Sequence, residues 1–222
     1  MRVLALDTST LTAGVALVTD GAIHVRRGRV TSHSDELLQM VSEVVAESGL
    51  APTELEGIVC GAGPGSFTGL RIGLATCKGL ALSIGCPLVL VSSLAALAAR
   101  AGDGECLAIL DAYKDEVYVG HYDVQAGLPK PLRPERVVAP SLLLDELRGH
   151  AELQLVGDGL LRYPSLTALG RLIDQDGSPH PGELARLGLV RLEAGERDSL
   201  ESSTPHYIRR SEAEIMKDRR SS

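Results

Sequence analysis

Short apolar runs recur along the first hundred residues, and each stops at a polar or glycine-rich break. Val3-Leu4-Ala5-Leu6 runs into Asp7, and apolar residues at every position predict a strand buried on both faces. A polar turn, Thr8-Ser9-Thr10, leads to a second strand over 13–19. Asp20-Gly21 is a two-residue hairpin signal, which makes 22–30 the returning strand. Residues 32–35 then read as a helix start with acids in the first turn. Leu37, Val41, Val44, Val45 and Ser48 fall at helical spacing, and Gly49 stands where a C-terminal cap belongs. A short buried strand over 57–61 feeds a glycine-rich turn and a helix over about 66–85. A strand at 88–91 and a helix at 94–100 complete this half.

The second half opens with the same pattern. Leu107-Ala108-Ile109-Leu110-Asp111 echoes the first strand and its terminal aspartate. A polar turn follows, then a strand over 117–124, a Gly-containing turn at Ala126-Gly127, and a third strand over 136–138. A helix over 141–147 and a strand over 153–156 continue the parallel. This weak repeat of hairpin strands and helices predicts a duplicated α/β unit rather than two unrelated segments. The boundary falls near residue 100, giving subdomains over 1–100 and 101–222. Residues 164–181 read as loop and 183–192 as a short helix, and the charged end reads as a flexible, solvated tail.

Composition narrows the classes. At 44% apolar residues, 222 residues suffice for a real core, built from aliphatic side chains because there is no Trp and a single Phe. A net charge of -7 and a pI near 5.4 argue against a free-standing nucleic-acid binder. Cys60, Cys77, Cys86 and Cys106 form no C-x-x-C pair and read as reduced core thiols of a cytoplasmic protein. The opening apolar run is too short for a signal peptide. Residues 79–99 carry no charge over a length near that of a bilayer span, but Gly85-Cys86-Pro87 divides them into helix end, strand and helix start. No membrane segment is expected.

The most informative stretch is Gly61-Ala-Gly-Pro-Gly-Ser-Phe-Thr-Gly-Leu-Arg-Ile-Gly73. Glycine between a strand and a helix leaves backbone N–H groups at the positive end of the helix dipole. Gly63, Gly65, Ser66 and Thr68 are therefore candidate anion or nucleotide contacts, with a Ser66-capped tight turn as the equal alternative. No Gly-Lys-Ser/Thr follows, so this is not a Walker A loop. Phe67 occupies the place a nucleophile elbow would need for serine. Further along, Gly69, Gly73, Ala75, Gly79, Ala81 and Ser83 line the helix with small residues, each internal glycine costing ~1 kcal/mol against alanine. Close approach of another helix, from this chain or another, would explain them. Asp7 and Asp111 each end a buried strand, where a nucleotide's phosphates could be met. Asp7 is the candidate contact, although the turn after it offers no glycine, Lys or Arg, and bonding to turn N–H groups is the simpler reading. No H-x-x-x-H pair exists, and neither a metal, a cofactor nor a catalytic residue is expected.

These residues resemble one family. Gly63-Pro-Gly-Ser-Phe-Thr-Gly-Leu-Arg-Ile-Gly73 is similar to the hallmark segment of the TsaB (YeaZ) family, and His33-Ser-Asp-Glu-Leu-Leu38 to its preceding helix start. Asp111-Ala112 with Glu116-Val-Tyr118, and Pro205-x-Tyr207-x-Arg209, resemble its later motifs. Asp35, Gln39 and Tyr113 stand where members more often carry Glu, Pro and Arg. The resemblance implies an actin-like ATPase (ASKHA, RNase H-like) fold of two related subdomains, without catalytic activity of its own. It implies pairing with TsaD, which transfers threonylcarbamate to adenosine of tRNAs reading ANN codons, alongside the ATPase TsaE and the adenylate-forming TsaC. A homodimer using the same surface is implied for the chain alone. On this view Leu37, Leu38, Val41, Val45, Gly69, Ile72, Gly73, Thr76 and Gly79 form the partner interface. The competing classes are an ATP-binding actin-like kinase and a metallopeptidase-like protein.

Overall fold

The computed structural model describes residues 1–29, 33–150, 153–173 and 176–209. Ser32 of the expected helix start, the side chain of His33, and the basic tail residues Arg210, Lys217, Arg219 and Arg220 lie outside what is described. The described residues build two five-stranded sheets. The first comprises β1 (Val3–Asp7), β2 (Thr12–Val18), β3 (Ile23–Arg29), β4 (Gly57–Gly61) and β5 (Leu88–Val91), in the order β3-β2-β1-β4-β5. The second comprises β6 (Gly104–Asp111), β7 (Val117–Gln125), β8 (Leu128–Val138), β9 (Leu153–Val156) and β10 (Gly170–Leu172), in the order β10-β9-β6-β7-β8. Read from the hairpin edge, the two orders are the same. In each sheet the first strand pairs antiparallel with the second and parallel with the fourth. This duplicated mixed sheet is the actin-like fold, and the Asp7/Asp111 echo marks equivalent strand ends.

Helices cover both faces of the first sheet. Leu4, Leu6, Val15, Leu17 and Ile58 pack with α1 (His33–Ser48) and α2 (Phe67–Ile84). The alternate residues Val3, Ala5, Val59 and Val89 face the other way. An all-apolar β1 is thus the direct consequence of burial on two sides. The second sheet divides likewise. Cys106, Ala108 and Leu110 meet α3 (Ser93–Ala98), whereas Leu107 and Ile109 pack with α4 (Pro140–Glu146) and α5 (Gly159–Arg162). Helix α3 wedges between the halves, with Leu94 and Leu97 in the second core and Ala96 in the first.

Three expectations need correction. Residues 164–181, read as loop, hold a 3-10 helix at Pro164–Leu169 and β10. The third strand of the second half is β8, running from residue 128 rather than 136. Pro129, Pro131 and Pro134 argue against a strand in sequence, but β8 is an edge strand, where N–H groups on the outward side have no ladder partner and proline is tolerated. The chain also recrosses the division at residue 100. Helix α6 (Pro181–Glu193) places Leu184, Ala185 and Leu192 against Val3, Ala5 and Val59 of the first sheet. Gly188 fits there because any Cβ would overlap the Val59 side chain. The sequence shows a short helix over 183–192, but nothing local says which sheet it covers.

The small residues of α2 also turn out to serve the monomer. A Cβ on Gly69 would overlap the Thr8 carbonyl, and one on Gly73 would overlap Thr8 Oγ1. Thr8 Oγ1 donates to the Gly69 carbonyl at 2.8 Å. The helix comes this near its own β1–β2 turn only because two glycines let it. Gly79, by contrast, has open space around it on the outer face. Gly73→Ala should therefore lower stability by about 1–3 kcal/mol through overpacking. Gly79→Ala should raise it by up to about 1 kcal/mol, as for an exposed helical position. Paired urea denaturation curves on the two variants measure both signs.

Candidate functional site

Asp7 lies at the centre of a closed hub. It is almost wholly buried, and its Oδ1 accepts from the Ser9 N–H at 2.9 Å and the Ser9 hydroxyl at 2.6 Å. Its Oδ2 accepts from the Ser93 hydroxyl at 2.6 Å, and Ser93 in turn accepts from the Gly63 N–H at 3.2 Å. Gly61 closes the last side, since a Cβ there would overlap Asp7 Oδ2. Burial pushes the Asp7 carboxyl above its ordinary range, against the pull of these donors. The sequence candidate for a nucleotide contact is thus sealed: its oxygens are spent on holding β1, β4 and α3 together. Asp111 and Asp158 act alike around the second sheet. Asp111 Oδ1 accepts from the Tyr113 N–H and Asp158 Oδ1 from the Asp111 N–H, each at 2.9 Å. Burial, with the neighbouring Asp111, pushes Asp158 up to about 6.

The other turn candidates occupy a more open place. Ser66 caps α2 by accepting from the Gly69 N–H at 3.2 Å, and its own N–H donates to the Ser9 carbonyl at 2.7 Å. Gly65, Ser66 and Thr68 line a cleft of about 570 Å³ between the two halves, and Gly63 does not. The opposite wall is Ala112, Tyr113 and Lys114 from the β6–β7 turn, with Tyr118 behind. The third wall is the segment His206-Tyr207-Ile208-Arg209.

That C-terminal segment crosses the cleft as a strap. Its His206 N–H donates to the Ala62 carbonyl at 2.8 Å, and Lys78 Nζ donates to the Ser203 carbonyl at 2.8 Å. Tyr207 stacks on Phe67 with ring centroids 4.6 Å apart. Arg71 lies 4.0 Å over the Phe67 ring and donates to the Tyr207 hydroxyl at 3.1 Å. On the other side, Arg209 donates to the Ala112 carbonyl at 2.8 Å and pairs with Glu116. The reading of Arg209 as part of a solvated tail is corrected by these bonds. His206 Nδ1 lies 3.2 Å from Oε2 of the largely buried Glu135, which also accepts from Ser92 and Tyr122. No local pattern links residues 67 and 207, so sequence reasoning missed this cluster; its one signal was the Pro205-x-Tyr207-x-Arg209 motif.

The interface candidates divide by direction. Leu37, Val41 and Val45 are buried in the first core, and Gly69 and Gly73 against Thr8, so these five offer no surface to a partner. Leu38 is 50% exposed, and Gly79 lies open. On α2, Ile72, Ala75, Thr76, Gly79 and Leu82 follow three- and four-residue spacing along the outer side, with Leu82 75% exposed.

Comparison with known proteins places this architecture. The tRNA threonylcarbamoyladenosine biosynthesis protein TsaB of Escherichia coli is 31% identical over 94% of this chain and 95% of its own length. TsaB of Bacillus subtilis is 32% identical over 96% of each chain. The chain belongs to the TsaB family. The solved structure of YeaZ from Pseudomonas aeruginosa superposes with a TM-score of 0.81 at 32% identity, covering 93% of this chain and 99% of that one. Residues 28–164 also match the family model described as TsaD, tRNA N6-adenosine threonylcarbamoyltransferase, so the chain sits within that wider family as well. Among the described residues no group of three His, Cys, Asp or Glu is placed to hold a metal, and no helix is long and apolar enough to cross a membrane.

The strap makes a pH prediction. Glu135 raises His206 above its ordinary value of 6.5, and that contribution is whole below 6.5 and lost as pH rises through the folded pKa. Burial opposes ionisation of Glu135, but its partners His206, Ser92 and Tyr122 outweigh it and hold it below 4.5. Its share is present above 4.5 and lost as pH falls through the folded value. The pair therefore stabilises most between about pH 4.5 and 6.5. His206→Ala should lower stability by about 0.5–1 kcal/mol in that window, the exposed imidazole limiting the effect, and by less at pH 8. Thermal melts of both proteins across pH 5–8 measure the difference.

Proposed function

We propose that this chain is a non-catalytic, cytoplasmic subunit in the formation of threonylcarbamoyladenosine on tRNAs that read ANN codons. In this reading it acts by pairing with the transferase TsaD through the outer faces of α1 and α2. TsaE is a further partner, tRNA is reached through the complex, and the chain pairs with itself when alone. The observation that carries the reading is similarity along nearly the whole chain to proteins named for this biosynthesis. The sealed Asp7 hub supports a role without chemistry, because the strand-end carboxylate has no side left for phosphate or metal.

The outer helix faces support the pairing. Leu38 on α1 and Leu82 on α2 are large exposed apolar side chains, and the outer side of α2 is kept low by Ala75, Thr76 and Gly79. Such a surface lets another helix approach closely and bury the leucines. An actin-like kinase would need an accessible phosphate loop at the β1–β2 turn, and that turn is instead packed beneath α2.

The test is co-purification with TsaD, followed by tRNA modification with and without this chain. Leu82→Glu combined with Gly79→Glu should reduce complex formation at least tenfold while leaving the monomer folded, since both positions are exposed. Modification should fall in parallel. A double variant that binds TsaD as tightly as the parent would end the α2 assignment. Modification proceeding equally without the chain would end the reading as a whole.

A further inference from the structure

We propose that His180 is a proton-operated latch on the chain's return from the second half to the first, holding the start of α6 when neutral and releasing it when protonated. This goes beyond pairing with TsaD and does not depend on it. The latch stands at a crossing. Just before it, Gly177 packs so closely on the second half that a Cβ would come within 2.8 Å of the Asp158 Cα. Just after it, Pro181 lies on β2 of the first half, where a Cβ on Gly14 would overlap its ring. Leu184 and Ala185 follow into the core around Val3, Ala5 and Val59. The residue between these two anchors fixes where α6 begins.

The bond behind the inference is the helix cap. His180 Nδ1 accepts from the Gly182 N–H at 3.2 Å, a role that Ser, Thr, Asp or Asn fills with an oxygen at most helix starts. An imidazole nitrogen accepts only while it is unprotonated, so this cap depends on a neutral ring. The histidines that face carboxylates are arranged the other way. His121 lies 3.1 Å from Glu105 and His206 lies 3.2 Å from Glu135, contacts that a charged ring strengthens. His180 meets a donor instead, at the positive end of a 13-residue helix, where a cation is disfavoured.

The surroundings act in the same direction. Burial lowers the His180 pKa from its ordinary 6.5, and Arg27 on β3 and Arg100 beyond α3 lower it further. Glu183 on α6 and Asp176 ahead of the cap pull it up without outweighing them. Both acids are engaged elsewhere: Glu183 pairs with Arg186, and Asp176 with Arg27 and Arg100. Below 6.5 the unfolded chain takes a proton that the folded ring resists. The latch is therefore whole above 6.5 and weakens as pH falls toward the folded value. This is the reverse of His206, whose contribution is lost as pH rises.

The test uses the full chain, with backbone amides and histidine rings followed by NMR from about pH 4 to about pH 8. The His180 ring should titrate below 6.5. Protection of the Gly182 amide from hydrogen exchange, corrected for the intrinsic pH dependence of exchange, should fall about fivefold with the same midpoint, as for a lost cap. His180→Asn, which caps without titrating, should keep that protection across the range, and His180→Ala should lack it at every pH. His206→Ala should still show the loss. A ring that titrates at or above 6.5, or not at all in this range, would overturn the proposal, as would Gly182 protection unchanged through the ring's titration. A loss that persists in His180→Asn, or vanishes in His206→Ala, would assign it to other groups and overturn the latch too. TsaD takes no part, so failure here leaves the pairing reading standing.

Discussion

A carboxylate removed from water at the end of β1 sets the terms for the N-terminal half. Asp7 needs donors on both oxygens, and it takes them from Ser9 on the following turn and Ser93 at the start of α3. Meeting that need pulls three separate stretches of chain onto one point. Gly61 must lack a side chain to leave room for the carboxylate, and Gly69 and Gly73 must lack one to let α2 settle on Thr8. Gly61 is therefore the steric counterpart of the buried Asp7 carboxyl, and Gly69 and Gly73 are the counterpart of the close approach to Thr8.

From this hub the cleft follows. Holding α2 down on the β1–β2 turn fixes where its first turn emerges, and that turn is one wall of the space between the halves. The β6–β7 turn, pinned by Asp111 at the equivalent strand end, supplies the facing wall. The strap then ties them, stacking Tyr207 on Phe67 on one side and bonding Arg209 to Ala112 on the other. Helix α6 strengthens the union, because a segment late in the chain completes the core of the early sheet.

The same geometry separates what was used for folding from what is left for binding. The inward sides of α1 and α2 are committed to the first core, and only the outer sides remain, with Leu38 and Leu82 unburied. The proposed pairing through these faces needs that division: residues that hold the monomer cannot also be its contact surface. The turn beside Asp7 is likewise committed, since Asp7, Ser9 and Ser93 are bonded to one another.

Sequence by itself determined most of the strands, the two long helices and the duplication, because burial on one or two faces imposes periods that local residues must carry. Val3-Leu4-Ala5-Leu6 and its echo at Leu107-Ala108-Ile109-Leu110 are legible for that reason. The hallmark glycines and the closing Pro205-x-Tyr207-x-Arg209 also disclosed the family. Only the tertiary structure decided which way those glycines face, which sheet α6 covers, that β8 persists through three prolines, and that Phe67 and Tyr207 share a cleft. Each of these depends on contacts between residues far apart in the chain. Such contacts impose no period, and local propensity carries no record of them.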